Sequence, residues 1–152
     1  MIYGEPRATK DIDVTLGIGL DRVDDALEFV RSSGWILLTG DPAVFAQQTG
    51  ALPAQDPKTG IRIDLIFSWM PFEASALKRA RTFDVGGVGV NFVSPEDLIV
   101  QKIVAGRPRD LEDIRWVIKK NPNLDLQYVR HWLEQFEDTL ELSLLDQLAS
   151  II

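Results

Sequence analysis

The 152-residue sequence contains no cysteine and a single histidine, His131. Disulfides and thiol catalysis are thereby excluded, and structural zinc lacks its usual sulfur and imidazole ligands. No apolar run approaches the roughly 18 residues that a membrane-spanning helix needs. The N-terminus does not read as a signal peptide, since Glu5 and Arg7 appear before any apolar core. Positive charge is in short supply, with 16 Lys and Arg against 23 Asp and Glu and a net charge of −7. That balance argues against an extended nucleic-acid footprint, which needs clustered Lys and Arg, but leaves room for a local basic patch. Internal repeats and low-complexity segments are also missing. What is present is 45% hydrophobic and 26% charged, a composition of ordinary globular chains and, at this length, of one domain. A cytoplasmic protein without membrane contact is the expectation.

The stretch that organises the chain is Arg7-Ala8-Thr9-Lys10-Asp11-Ile12-Asp13-Val14-Thr15-Leu16. As a strand it sends Asp11 and Asp13 to one face and Ile12, Val14 and Leu16 to the other. Two neighbouring carboxylates repel unless a cation or hydrogen-bond donors lie between them. A hard divalent ion such as magnesium, or manganese, answers that need with oxygen ligands. The alternative is a solvated strand end. A third acid follows in Ile61-Arg62-Ile63-Asp64-Leu65-Ile66-Phe67, where the apolar residues alternate and Asp64 is the only acid on its face. Pairing of Asp64 with Arg62, or a backbone cap, is the alternative to a ligand role. If the two strands are neighbours, Asp11, Asp13 and Asp64 converge.

Elsewhere the pattern alternates helix and strand. Asp21 is placed to cap a helix with apolar positions Val23, Ala26, Leu27 and Val30. Residues 35–38 form a short strand, and Asp41-Pro42 opens a helix to about Gln48. Strands 51–55 and 61–67 flank a turn at 56–60 and pair antiparallel. A helix over 71–79 and a tight Gly86-Gly87 hairpin follow. Ser94-Pro95-Glu96-Asp97 starts a helix, its acids complementing the positive end of the dipole. Its stripe is Leu98, Ile99, Ile103 and Val104, with Lys102 beside it. Gly106 ends that helix, and the next presents Leu111, Ile114, Val117 and Ile118. After the stop at Asn121-Pro122, Asp125 caps a helix with Val129, Trp132, Leu133 and Phe136, and a last helix begins near Asp138. His131 reads as a surface residue.

Gly4 to Asp13, Ile63-Asp64-Leu65, Ser94 to Leu98, Lys102, and Arg109-Asp110-Leu111-Glu112-Asp113 together resemble the nucleotidyltransferase fold of the DNA polymerase beta superfamily. The similarity is greatest to its small bacterial branch, which includes AbiEii-like toxin nucleotidyltransferases, and spans roughly residues 2–120. It implies an α/β fold of α+β type, a mixed and mostly antiparallel sheet with flanking helices. Residues 1–93 would form the sheet core and 94–152 a helical part of the same domain. The superfamily's phosphate-holding glycine pair stands on a helix upstream of the Asp-x-Asp strand. Here the chain opens at Met1-Ile2-Tyr3-Gly4, so that helix is expected to be largely missing, and Gly4 is too near Asp11 to replace it.

The resemblance further implies metal-dependent transfer of a nucleoside monophosphate from a nucleoside triphosphate to an acceptor hydroxyl. Asp11, Asp13 and Asp64 would ligate Mg2+ or Mn2+, with Asp64 placed to accept the hydroxyl proton. Arg7, Thr9, Lys10, Lys102, Arg109 and Asp110 would contact nucleotide or acceptor, and Asp110 and Asp113 would orient Lys102 or act as a base. The acceptor would be a tRNA end or a protein side chain, and a cognate antitoxin is an expected partner. Two alternatives remain: an inactive nucleotidyltransferase-like binding module, favoured by the missing glycine helix, and a metal-dependent phosphohydrolase.

Overall fold

A computed structural model describes Tyr3 and residues 11–152, which fall into two compact units. One is Ala8–Lys78, described from Asp11 onward; the other is Arg79–Ile152 together with Tyr3. The fold is the expected mixture of helices with mostly antiparallel strand pairs.

In the first unit, β1 (Asp11–Thr15) leads through a short 3-10 turn at Leu20–Arg22 into α1 (Val23–Ser32). Then come β2 (Ile36–Leu37), α2 (Pro42–Thr49), β3 (Ala51–Gln55), β4 (Arg62–Ile66) and α3 (Pro71–Arg79). The sheet order is β1-β4-β3-β2, with β1 parallel to β4 and the other pairs antiparallel. A parallel pair requires a long crossover, and the intervening helices and strands supply it. All four apolar positions read for α1 are buried, in one core with Leu52, Ala54, Ile63, Leu65 and Phe67. Asp21 does not cap α1. It lies in the 3-10 turn, where the Arg22 N–H donates to the Gly19 carbonyl at 3.1 Å, so a different bond closes the helix entry. Asp41 does cap α2, accepting the Val44 N–H at 3.2 Å.

The turn joining β3 to β4 is held by Asp56, which accepts the Lys58 N–H at 3.0 Å and the Thr59 hydroxyl at 2.8 Å. These bonds, the backbone one foremost, keep its carboxyl below the usual range. The hairpin therefore has a fixed closure, and β4 a fixed register against β3.

The second unit begins with the hairpin β5 (Arg81–Val85) and β6 (Val88–Phe92). Gly86 and Gly87 both take positive φ, 63° and 86°, as a two-residue turn of this kind demands. Four helices follow: α4 (Pro95–Ala105), α5 (Pro108–Lys120), α6 (Leu126–Leu140) and α7 (Leu144–Ala149). Ile99, Val100, Ile103, Ile114, Val117, Val129, Leu133, Leu144 and Leu148 are fully buried, each worth roughly 1.5–3 kcal/mol of transfer free energy. The break before the last helix differs from the sequence reading, because Asp138 still belongs to α6. Glu141 closes α6 in the left-handed region, and the Glu137 carboxylate accepts the Leu145 N–H at 2.8 Å to start α7. An apolar stripe alone does not mark such a break. Among the described residues, no helix is long and apolar enough to cross a membrane.

Candidate active site

The two acid-bearing strands are adjacent. In the β1–β4 register Asp13 pairs with Asp64 and Asp11 with Arg62. In-register residues of parallel strands share a face about 4.8 Å apart, so Asp11, Asp13, Arg62 and Asp64 stand together on one face of the sheet. The opposite face is less uniformly buried than the alternation suggests. Ile63 and Leu65 lie in the core, whereas their β1 partners Ile12 and Val14 are 45% and 37% exposed. The reason is position: β1 is the end strand of the described sheet, and the core formed with α1 lies over β3 and β4.

Asp64 has a specific neighbour. Arg62 Nε donates to its two carboxylate oxygens at 2.9 and 3.0 Å, and Nη2 lies 2.9 Å from Oδ1. This is the Arg62 pairing that the sequence offered as the alternative to a ligand role. Among the described residues, no three His, Asp or Glu side chains stand close enough together to form a metal-binding group. The backbone register thus gathers the acids on one face, while the Asp64 carboxylate is engaged by a guanidinium. The donor set is all carboxylate oxygen, the chemistry that Mg2+ and Mn2+ select. The donor chemistry suits a divalent ion, which would have to displace Arg62 from Asp64.

A second charged group is built in the other unit, on α4 and α5. Lys102 Nζ donates to Asp110 Oδ1 at 3.0 Å and to Asp113 Oδ2 at 2.6 Å, and Arg107 Nε donates to Asp110 Oδ2 at 2.7 Å. Gly106, at φ 61°, ends α4 and lets Pro108 start α5 at once, which brings Asp110 and Asp113 back over Lys102. All three side chains are nearly buried, at 11%, 4% and 12% exposure. Burial works to raise the Asp110 pKa, but the hydrogen bonds and charges of Arg107 and Lys102 outweigh it and hold the carboxyl below its ordinary value. Lys102 is therefore an ion-paired lysine, not a snorkelling one. An ammonium has three hydrogens, and these two bonds use two of them. Arg109 is exposed at the start of α5. Arg7, Thr9 and Lys10 lie outside the described residues, and His131 is exposed as expected.

One polar group escaped the sequence reading. Glu96 and Asp97, expected only to complement the helix dipole, are buried. Asp97 accepts the Ser94 hydroxyl at 2.5 Å and the Tyr128 hydroxyl at 2.6 Å. Glu96 lies 3.2 Å from Arg79 Nη2, and the Arg79 guanidinium stacks 3.9 Å over the Tyr128 ring. Burial opposes the Glu96 charge, yet backbone N–H groups of Glu96 and Asp125, the Ser94 hydroxyl and Arg79 together lower its pKa. The signal was the spacing, for Glu96, Ile99 and Ile103 recur at i, i+3 and i+7 on one helix face.

The model of one protein family, described as "Nucleotidyl transferase of unknown function (DUF2204)", matches residues 46–150. No curated protein matches the chain.

Proposed function

Given that the chain belongs to this family of nucleotidyl transferases of unknown function, we propose that it transfers a nucleoside monophosphate from a nucleoside triphosphate to an acceptor hydroxyl. The observation that carries the reading is the in-register pairing of Asp13 with Asp64, with Asp11 on the same face. Asp11, Asp13 and Asp64 would hold Mg2+ or Mn2+. Such ions, when bound, neutralise the developing charge of an in-line phosphoryl displacement and clamp its attacking and leaving oxygens. The protein's own part is to fix the carboxylates on paired strands and to place Asp64 where the acceptor hydroxyl loses its proton. Positioning and charge account for most of the rate in this chemistry. In the second unit, Lys102 with its remaining hydrogen is assigned to phosphate, and its orientation to Asp110 and Asp113. Arg7, Thr9, Lys10 and Arg109 are further contacts for nucleotide or acceptor. A tRNA end or a protein side chain is the acceptor class, and the AbiEii-like resemblance suggests a toxin role with a cognate antitoxin.

A second reading has one observation in its favour. With Asp64 forked by Arg62, the chain could serve as an inactive binding module of the same fold. Calorimetric titration with each of the four magnesium nucleoside triphosphates, alongside Asp13→Asn, separates the two. Binding that weakens in the variant supports the transferase; absence of binding by a chain that circular dichroism reports as folded leaves the binding module.

A further inference from the structure

We propose that Arg62 is a built-in counter-cation for the acidic face, which yields Asp64 to a divalent ion and takes up a phosphate of the incoming nucleotide. The inference rests on the proposed function and deepens it by assigning an exchange of partners at the same site.

The argument starts from charge. Asp11, Asp13 and Asp64 share one face of two paired strands, and carboxylates so placed repel one another unless positive charge lies nearby. Arg62 supplies that charge from the same strand as Asp64, two residues away and therefore on the same face, in register with Asp11. Its guanidinium forks both oxygens of Asp64. Arginine cannot lose its proton in a protein, so it cannot release Asp64 by neutralising; it must swing away. Its side chain is 53% exposed against 21% for Asp64. A pair so open to water is held weakly and exchanges readily. Once displaced, the planar fork of donors matches a phosphate as well as it matched a carboxylate. Metal and nucleotide would then each take one half of an existing ion pair.

The exchange predicts effects of opposite sign from one substitution, which a purely structural role for Arg62 would not produce. Mn2+ affinity, read from the free-ion signal in electron paramagnetic resonance, should rise roughly two- to fivefold in Arg62→Gln, since the ion no longer competes with a guanidinium. Affinity for magnesium nucleoside triphosphate, read by calorimetry, should fall in the same variant. Arg62→Lys keeps the charge without the fork and should lie between, and it guards against a folding defect in the glutamine variant. In an Asp64→Asn background, Arg62→Gln should no longer change Mn2+ affinity. Mn2+ affinity that is unchanged or lower in Arg62→Gln overturns the exchange while leaving the transferase reading intact. No Mn2+ binding by either the wild type or Arg62→Gln overturns both.

Discussion

Replacing Lys102 by Met tests whether the α4–α5 junction depends on its buried ion pairs. Met keeps the length of the side chain and removes the ammonium, so packing changes little. Asp110 and Asp113 are then left with two buried negative charges, at 4% and 12% exposure, and without the donor 3.0 and 2.6 Å away. Removing one partner of a buried pair typically costs about 3–5 kcal/mol. Asp110 retains Arg107, whose side chain is 73% exposed and whose contribution is correspondingly screened. The expected loss is therefore near the lower limit, about 3 kcal/mol. With a urea slope of roughly 2 kcal/mol/M, the midpoint should fall by about 1.5 M.

The pH dependence carries the stronger test. Asp110 has a folded pKa below its ordinary value, so its contribution to wild-type stability is complete above that ordinary value and is lost as pH falls through the lowered one. Without Lys102, burial acts on Asp110 with less opposition, and it protonates more readily. The gap between wild type and Lys102→Met should be widest at neutral pH and narrow toward pH 4. Replacing all three residues with apolar side chains should recover much of the loss. A single variant within about 0.5 kcal/mol of wild type, the scatter of ordinary surface substitutions, would refute the claim that these charges depend on one another.

Other parts of the structure offer simpler tests. Tyr128→Phe removes the 2.6 Å hydrogen bond to buried Asp97 and should cost about 1.5 kcal/mol in chemical denaturation, with Asp97 still held by Ser94. Gly50→Ala forces a side chain into φ 70°, with its Cβ 2.7 Å from Trp69 Nε1; it should destabilise by at least about 1 kcal/mol and blue- or red-shift the Trp69 emission. Glu73 has its pKa raised by burial, partly offset by its own N–H and that of Met70. Its contribution to stability is complete below the ordinary Glu value and lost as pH rises through the raised one, and Glu73→Gln should flatten that slope in a pH series of thermal melts.

Local signals carried most of the fold because each rested on one short-range bond or one periodicity. Asp41, Ser94 and Asp125 accept the expected N–H groups at the starts of α2, α4 and α6. The α1 stripe buries the four residues that its spacing selected. Where the reading went astray, two local solutions competed. Asp21 lost its capping role to a 3-10 turn, and the α6–α7 break depends on a left-handed Glu141 that nothing in its residue type announces.

For the candidate site, alternation placed Asp11, Asp13 and Asp64 on faces and offered Arg62 as a partner for Asp64, but could not make the two strands neighbours. The parallel register is a property of the sheet, set by a crossover of some fifty residues. Arg62 shows this most clearly. In the sequence it is one possible partner for Asp64; in the fold its guanidinium engages that carboxylate, one of three acids on a face that calls for positive charge. Such a requirement follows from electrostatics alone, and which positive charge meets it is decided by geometry. An arginine anchored two residues from the acid it neutralises needs no long-range contact to reach it. The same anchorage keeps it beside the acids when it lets go, so the strand that builds the carboxylate face also carries the group best placed to exchange with what binds there.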